Sequence, residues 1–113
     1  MNREDEGMEN TQVRFFKALG DETRQAILRI LQEEEELCVS DLCQRFRRIS
    51  QPTISHHLQV LRESDLVGTR RQGKLIFYQL NRTVIYQMGR SFLVQFRSET
   101  HIGPMGDAGE GLG

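Results

Sequence analysis

The sequence predicts a mostly helical domain with one small β-hairpin, organised as a winged helix-turn-helix that pairs with itself. Three observations predict it. Apolar residues recur at three- and four-residue spacing through most of the chain, the period of a helix packed on one side. Around Gln72-Gly73 that period gives way to two short β-prone runs. Positive charge is concentrated in the middle of the chain. Residues 1–43 hold five Arg/Lys against eleven Asp/Glu, net −6; residues 44–82 hold eight against two, net +6; residues 83–113 hold two against three, net −1.

The first nine residues are polar and acidic and are expected to be flexible; the folded domain is expected over residues 10–98. Asn10 to Leu19 reads as a short helix, with Val13, Phe16 and Leu19 at helical spacing and Phe15 beside them. Gly20 is placed to end it as a C′ glycine. Asp21 is placed to cap a second helix that runs to about Glu33, with Ala26, Ile27, Ile30 and Leu31 inward. Glu33–Glu36 reads as a solvated helix end and loop. Cys38 to Phe46 reads as a third short helix, with Leu42 and Phe46 as an i,i+4 apolar pair. Arg47–Ile49 is a tight connection.

Ser50 to Asp65 reads as the helix that the others serve. Ser50 is a good N-cap, and Pro52 suits a first turn, where its missing N–H costs little. Ile54, Leu58 and Leu61 fall within about 60° of one another around a helix and form its inward face. Gln51, Thr53, Ser55, His56, Gln59 and Arg62 lie on the front and flanks. Such side chains suit the edges of base pairs in a DNA major groove. They suit an ordinary solvated face as well, but the surrounding net charge of +6 favours double-stranded DNA. Two short helices, a turn and a polar-fronted helix make a helix-turn-helix.

Leu66–Arg71 and Lys74–Leu80 read as a hairpin turning at Gln72-Gly73, with Arg70, Arg71 and Lys74 around its tip. A basic hairpin next to such a helix is a wing whose cations reach phosphate. The competing reading is an edge hairpin guarded by charge. Asn81 or Thr83 caps a last helix to about Ser98. Its apolar stripe, with Ile85, Met88, Phe92 and Phe96, is broader than so small a domain covers. It points to a homodimer interface shared with Phe15 and Phe16. Residues 99–113 are rich in Gly and are expected to form a disordered tail.

No apolar run approaches the roughly 18 residues of a membrane span, and the acidic N-terminus has no signal-peptide core. A cytoplasmic protein with no membrane partner is expected. Cys38 and Cys43 are too few and too close for a disulfide framework. No catalytic constellation is present, so an enzyme is not expected, and DNA binding calls for no cofactor.

Several segments together resemble the ArsR/SmtB family of winged-helix metalloregulatory repressors. They are Leu19–Leu31, Glu36-Leu-Cys-Val-Ser-Asp-Leu-Cys43, Ser50–Arg62 and the wing through Tyr78-Gln-Leu80. The likeness covers roughly residues 12–97. It implies a homodimeric repressor that leaves a near-palindromic operator when an inducer binds. Within the family, Glu36–Cys43 is similar to the arsenite/antimonite-sensing motif, which has cysteines at the positions of Cys38, Ser40 and Cys43. The resemblance therefore implies Cys38 and Cys43 as ligands for As(III) or Sb(III), with Ser40 where the third thiol would stand. The family's other metal sites are not matched: the last helix has no His and no acid before Glu99, and no cysteine precedes Cys38.

On an ideal helix, residues five apart have Cα atoms separated by about 8.7 Å. A disulfide needs less than about 7 Å. Joint ligation by Cys38 and Cys43 therefore requires the first turn of their helix to unwind, which would link the thiols to the DNA-facing helix. A thiol redox or persulfide switch, another metal, and simple core packing of the cysteines are the alternatives. A protein–protein docking module built on a winged helix is the alternative to DNA binding.

Overall fold

The structure, a computed structural model, describes residues 3–96, with side chains from residue 11 onward. The tail expected over 99–113 lies outside the described residues. The chain runs α1 (Arg3–Leu19), α2 (Glu22–Glu34), β1 (Glu36–Cys38), α3 (Val39–Arg45), α4 (Gln51–Glu63), β2 (Val67–Gln72), β3 (Leu75–Leu80) and α5 (Arg82–Leu93), closing on a 3-10 turn at Val94–Phe96. The winged helix-turn-helix expected from the sequence is the fold observed.

Helix α1 begins seven residues before the expected start at Asn10. Its inward face is rotated from expectation: Phe15 and Ala18 are buried, whereas Val13 is 49% exposed. Phe15, expected at a dimer surface, is 2% exposed within the single chain and belongs to its core. Gly20 does not adopt a left-handed C′ conformation; its N–H donates to Lys17 O at 3.1 Å in a tight last turn.

Helix α2 is capped as expected, with Asp21 Oδ1 accepting from the Arg24 N–H at 2.9 Å. Ile27, Leu28 and Leu31 are buried, so Leu28 takes the place foreseen for Ala26. The helix ends at Glu35, which sits at φ 72° with its N–H on Leu31 O. The chain turns there into a strand that the sequence did not reveal. Three residues are too few to show an alternating pattern. Strand β1 pairs antiparallel with β3, with Glu36 opposite Gln79 and Cys38 opposite Phe77. The sheet order is β1-β3-β2.

Cys38, expected as the first residue of a helix to Phe46, is the last residue of β1 and the extended N-cap of α3, at φ −91° and ψ 173°. Helix α3 packs on α4. Ser50 caps α4, accepting from the Thr53 N–H at 3.4 Å. Ile54, Leu58 and Leu61 are fully buried. Each such side chain gains about 1.5–3 kcal/mol from leaving water.

Helix α4 leaves through Asp65 at φ 62°. The Leu66 N–H reaches Leu61 O at 2.9 Å and the Asp65 N–H reaches Arg62 O at 3.0 Å, a Schellman closure that drives Leu66 into the core. Asp tolerates this left-handed backbone better than most side chains. The wing then turns at Gly73-Lys74, one residue later than expected, with Gln72 opposite Leu75. Gly73 has φ 63°, and a two-residue hairpin loop places a glycine of positive φ at its first central position. Asn81, not Thr83, caps α5, accepting from the Val84 N–H.

The Asp21 cap gives a pH-dependent prediction. The Arg24 N–H holds the Asp21 carboxyl below its ordinary 3.8; partial burial opposes this, and the Arg24 and His57 charges assist it. The folded-state value is depressed, so the cap's contribution is complete above about pH 3.8 and is lost as the pH falls through the lowered value. Asp21→Ala should lower stability by about 1 kcal/mol at neutral pH. In urea titrations the gap between the two proteins should close in acid; a gap independent of pH would contradict an ionised cap.

Candidate nucleic-acid interface and thiol pair

The front of α4 follows from its back. With Ile54, Leu58 and Leu61 sealed inside, Gln51, Thr53, Ser55, His56, Gln59 and Arg62 are all exposed on the other side. Two of them hold local partners. Thr53 Oγ1 accepts from Ser50 Oγ at 3.0 Å, and Gln59 Nε2 donates to Glu63 Oε2 at 3.0 Å. The structure thus brings the predicted helix-face set together on one surface.

The wing divides the three predicted cations. Arg71 and Lys74 are exposed at its tip. Arg70, expected beside them as a phosphate contact, is committed elsewhere. Its Nε donates to Glu36 Oε2 at 3.2 Å, its Nη2 meets Glu36 Oε1, and its Nη1 donates to Gln72 Oε1 at 2.9 Å. The guanidinium also lies 4.8 Å from the centroid of the Phe77 ring. The hydrogen bond from Arg70 holds Glu36 below the ordinary carboxylate range, and the same bond raises Arg70. Glu36, read from sequence as part of a solvated acidic run, therefore ties β1 to the wing. Its neighbour Glu34 pairs with Arg45 at 2.8 Å.

His57 faces the other way. Its side chain is 13% exposed, and its Nδ1 lies 3.0 Å from Arg24 Nη1 and 4.0 Å from Asp21 Oδ1. Burial lowers His57 from its ordinary range; Asp21 opposes this, while Arg24 and His56 add to it. Arg24 and Glu36 escaped the sequence reading because their partners lie 33 and 34 residues away. No local pattern records such pairs.

The two cysteines are free thiols. Cys38 is 7% exposed; its Sγ donates to Asp41 Oδ2 at 3.2 Å and lies 3.2 Å from Ser40 Oγ. Cys43 is half-buried on α3 against the core. No cluster of three or more His, Cys, Asp or Glu side chains suited to a metal ion occurs among the described residues.

Helices α1 and α5 share an aromatic face. Phe16 and Phe92 have ring centroids 4.7 Å apart, and Phe92 and Phe96 5.0 Å. Phe92, Leu93 and Phe96 are 37%, 68% and 69% exposed, and α5 buries none of its residues fully. Ile85 and Met88, also predicted at a dimer surface, are half-buried against the core.

Residues 21–69, which contain the helix-turn-helix and the start of the wing, match the sequence model of bacterial regulatory proteins of the arsR family. The chain is 36% identical over 90 residues to a cadmium resistance transcriptional regulatory protein CadC homolog from Staphylococcus aureus, covering 80% of this chain and 74% of that one. This chain belongs to the ArsR family. It is also 51% identical over 69 residues to the arsenical resistance operon repressor of Escherichia coli K12, a match covering 61% of this chain and 58% of that protein's length. Among solved structures, an ArsR-like transcriptional regulator from Rhodococcus sp. RHA1 superposes with a TM-score of 0.68 at 29% identity, covering 75% of this chain and 78% of that one. The ArsR chain described here is thus a DNA-binding transcriptional regulator by family and by fold.

Proposed function

We propose that this ArsR-family chain is a homodimeric repressor that binds double-stranded operator DNA through α4 and the wing, and leaves it when Cys38 and Cys43 capture As(III) or Sb(III). The position of Cys38 carries the reading. It is the last residue of β1, paired with Phe77 in the wing, and also the N-cap of α3, which packs on α4. A pull on Cys38 is therefore felt by both DNA-facing elements.

The residues suit a soft, thiophilic inducer. Two thiolates can hold As(III), with water or an external thiol completing the site, whereas tetrahedral Zn²⁺ wants four ligands. Cys38 has extended backbone outside the helix, so its Sγ can shift without first breaking an α3 hydrogen bond. On ligation it gives up its bond to Asp41, and the Asp41 carboxylate then faces a thiolate. Glu36 and Arg70 carry that disturbance across the sheet into the wing. The arsenical and cadmium resistance relatives support an inducer of this class.

The base-reading set is Gln51, Thr53, Ser55, His56, Gln59 and Arg62, with Arg71 and Lys74 on phosphate. The half-buried Phe16 of α1 with the exposed Phe92 of α5 and Phe96 beyond it make the dimer face. A dimer of this kind spaces two copies of α4 about 34 Å apart, one turn of DNA, or a small multiple of it. Sedimentation at micromolar concentration should show a dimer, and Phe92→Asp, placing a charge among the rings, should shift it toward monomer. A wild-type monomer would overturn the assignment.

Ser55→Ala and His56→Ala should lower operator affinity by about tenfold while leaving random-DNA affinity nearly unchanged. Arg71→Ala and Lys74→Ala should weaken both alike, each reducing the salt slope by about 0.9. Arg70→Ala should leave that slope in place, because Glu36 already neutralises it. Salt-dependent gel shifts on the DNA upstream of the protein's own gene check all five. Uniform behaviour would show that helix and wing do not divide the work.

Inducer release is read on labelled operator titrated with arsenite. Wild type should dissociate; Cys38→Ser and Cys43→Ser should bind operator but stay bound; Ser40→Cys, supplying a third thiolate, should release at lower arsenite. Wild-type release in both Cys→Ser proteins would return the cysteines to a packing role and favour an inducer bound elsewhere.

A further inference from the structure

Helix α4 is held in place by packing and by one polar contact that packing does not require. Arg24, near the start of α2, reaches three ways. Its Nε donates to Ala18 O at 2.8 Å and its Nη2 to Lys17 O at 3.3 Å, both at the end of α1. Its Nη1 lies 3.0 Å from Nδ1 of His57, in the middle of α4. A guanidinium has only N–H donors. The contact is therefore a hydrogen bond only if Nδ1 carries its lone pair, with the proton on Nε2.

We propose that Arg24 and neutral His57 form a brace that seats α4 against the α1–α2 junction, making both of them positioning residues for operator reading and making that reading sensitive to acid. The proposal rests on the DNA-binding reading above. His57 is not on the exposed front of α4: its side chain is only 13% exposed and turns toward Arg24, with its ring centroid 6.1 Å from that of the exposed His56. Protonation would set an Nδ1–H against a guanidinium N–H, donor against donor and cation against cation. The ring's other nearby acceptor, Asp21 Oδ1 at 4.0 Å, already takes the Arg24 backbone N–H as the cap of α2. Turning the imidazolium toward Asp21 therefore releases α4 from Arg24 and competes for the α2 cap. The charged groups facing His57 are Asp21 and Arg24 from α2 and His56 from α4. Helix α1 faces the brace with the carbonyls of Lys17 and Ala18, which hold the guanidinium in position. Burial already favours the neutral ring, in line with this geometry.

A cation added to α4 also strengthens attraction to any phosphate, so bare affinity is the wrong readout. The ratio of operator to random-DNA affinity isolates the loss of reading geometry. This ratio should hold from about pH 8 down to the ordinary imidazole value near 6.5 and fall about tenfold as the pH drops further, through the lower value at which burial places His57. His57→Asn offers Oδ1 near the position of Nδ1 and cannot be protonated. It should keep the wild-type ratio at the upper pH and hold it through the lower one. Arg24→Gln, which removes the guanidinium, should show the lowered ratio at both. In the free protein, with no DNA present, ¹⁵N spectra should show His57 as the Nε2–H tautomer, and Arg24→Gln should raise its titration midpoint. A His57→Asn protein with the wild-type acid response, or an Nδ1–H tautomer, overturns the brace. A wild-type protein that binds no operator at any pH overturns the DNA-binding reading and any role of the brace in it, whereas a wild type that binds operator with a flat pH profile overturns the brace alone.

Discussion

The structure depends on keeping Ile54, Leu58 and Leu61 out of water. These three side chains occupy one stripe of a 13-residue helix, and all are fully buried. Together they gain several kcal/mol, a large share of the margin by which a small domain stays folded. That burial settles the azimuth of α4. Once the stripe is inside, Ser55, His56 and Gln59 have to face solvent, and no separate device is needed to present them. Helix α3 packs against α4, α2 supports it from another side, and β2 leaves directly from its end. The exposed polar face of α4 is a by-product of the core.

What the sequence made legible, and what it did not, divides along the same line. The back and front of α4, its Ser50 cap, the Asp21 cap and the turn of the wing all follow from neighbours within four residues. Local periodicity and capping chemistry record such neighbours. The orientation of α1 was missed because Val13, Phe15, Phe16 and Ala18 offer two nearly equivalent apolar faces. Only the position of α2 selects the one that buries Phe15 and Ala18. Strand β1 was missed because three residues have no period and exist as a strand only through their partner β3. Arg70 was placed on the wing, but its pairing was not legible, since the carboxylate that engages it stands 34 residues earlier.

That carboxylate changes how the charge of the chain is understood. The acidic first segment and the basic middle segment looked like two territories. In the fold they interlock, with Glu34 on Arg45 and Glu36 on Arg70. These are exposed pairs, and solvent screening leaves them little effect on stability. Their effect lies in subtraction: two cations of the basic block are neutralised before any DNA arrives. The cations of the block left without a carboxylate partner are the exposed Arg47, Arg48, Arg62, Arg71, Lys74 and Arg82, a smaller field than a net charge of +6 implies. A smaller non-specific term leaves more of the binding to contacts on base edges, which is how a short recognition helix comes to discriminate.

The position of Cys38 brings these strands of argument to one residue. A strand end ordinarily ends by fraying, and a helix N-cap is ordinarily a side chain that accepts from the backbone. Cys38 does neither: its thiol makes no capping bond to the backbone and instead donates to Asp41 one turn on. Ser or Asp there would hold the first turn of α3 more firmly, by about 1 kcal/mol. The chain forgoes that stability at a junction where the sheet that carries the wing meets the helix packed on α4. A weakly fastened joint between two rigid parts is where a small chemical event has most leverage, because neither core has to be broken for the parts to move. The thiol is buried, and it is held by the Ser40 hydroxyl and Asp41 carboxylate at the start of α3 and not by the helix backbone. Neither of those two contacts involves Ile54, Leu58 or Leu61, so the core that sets the azimuth of α4 does not depend on them.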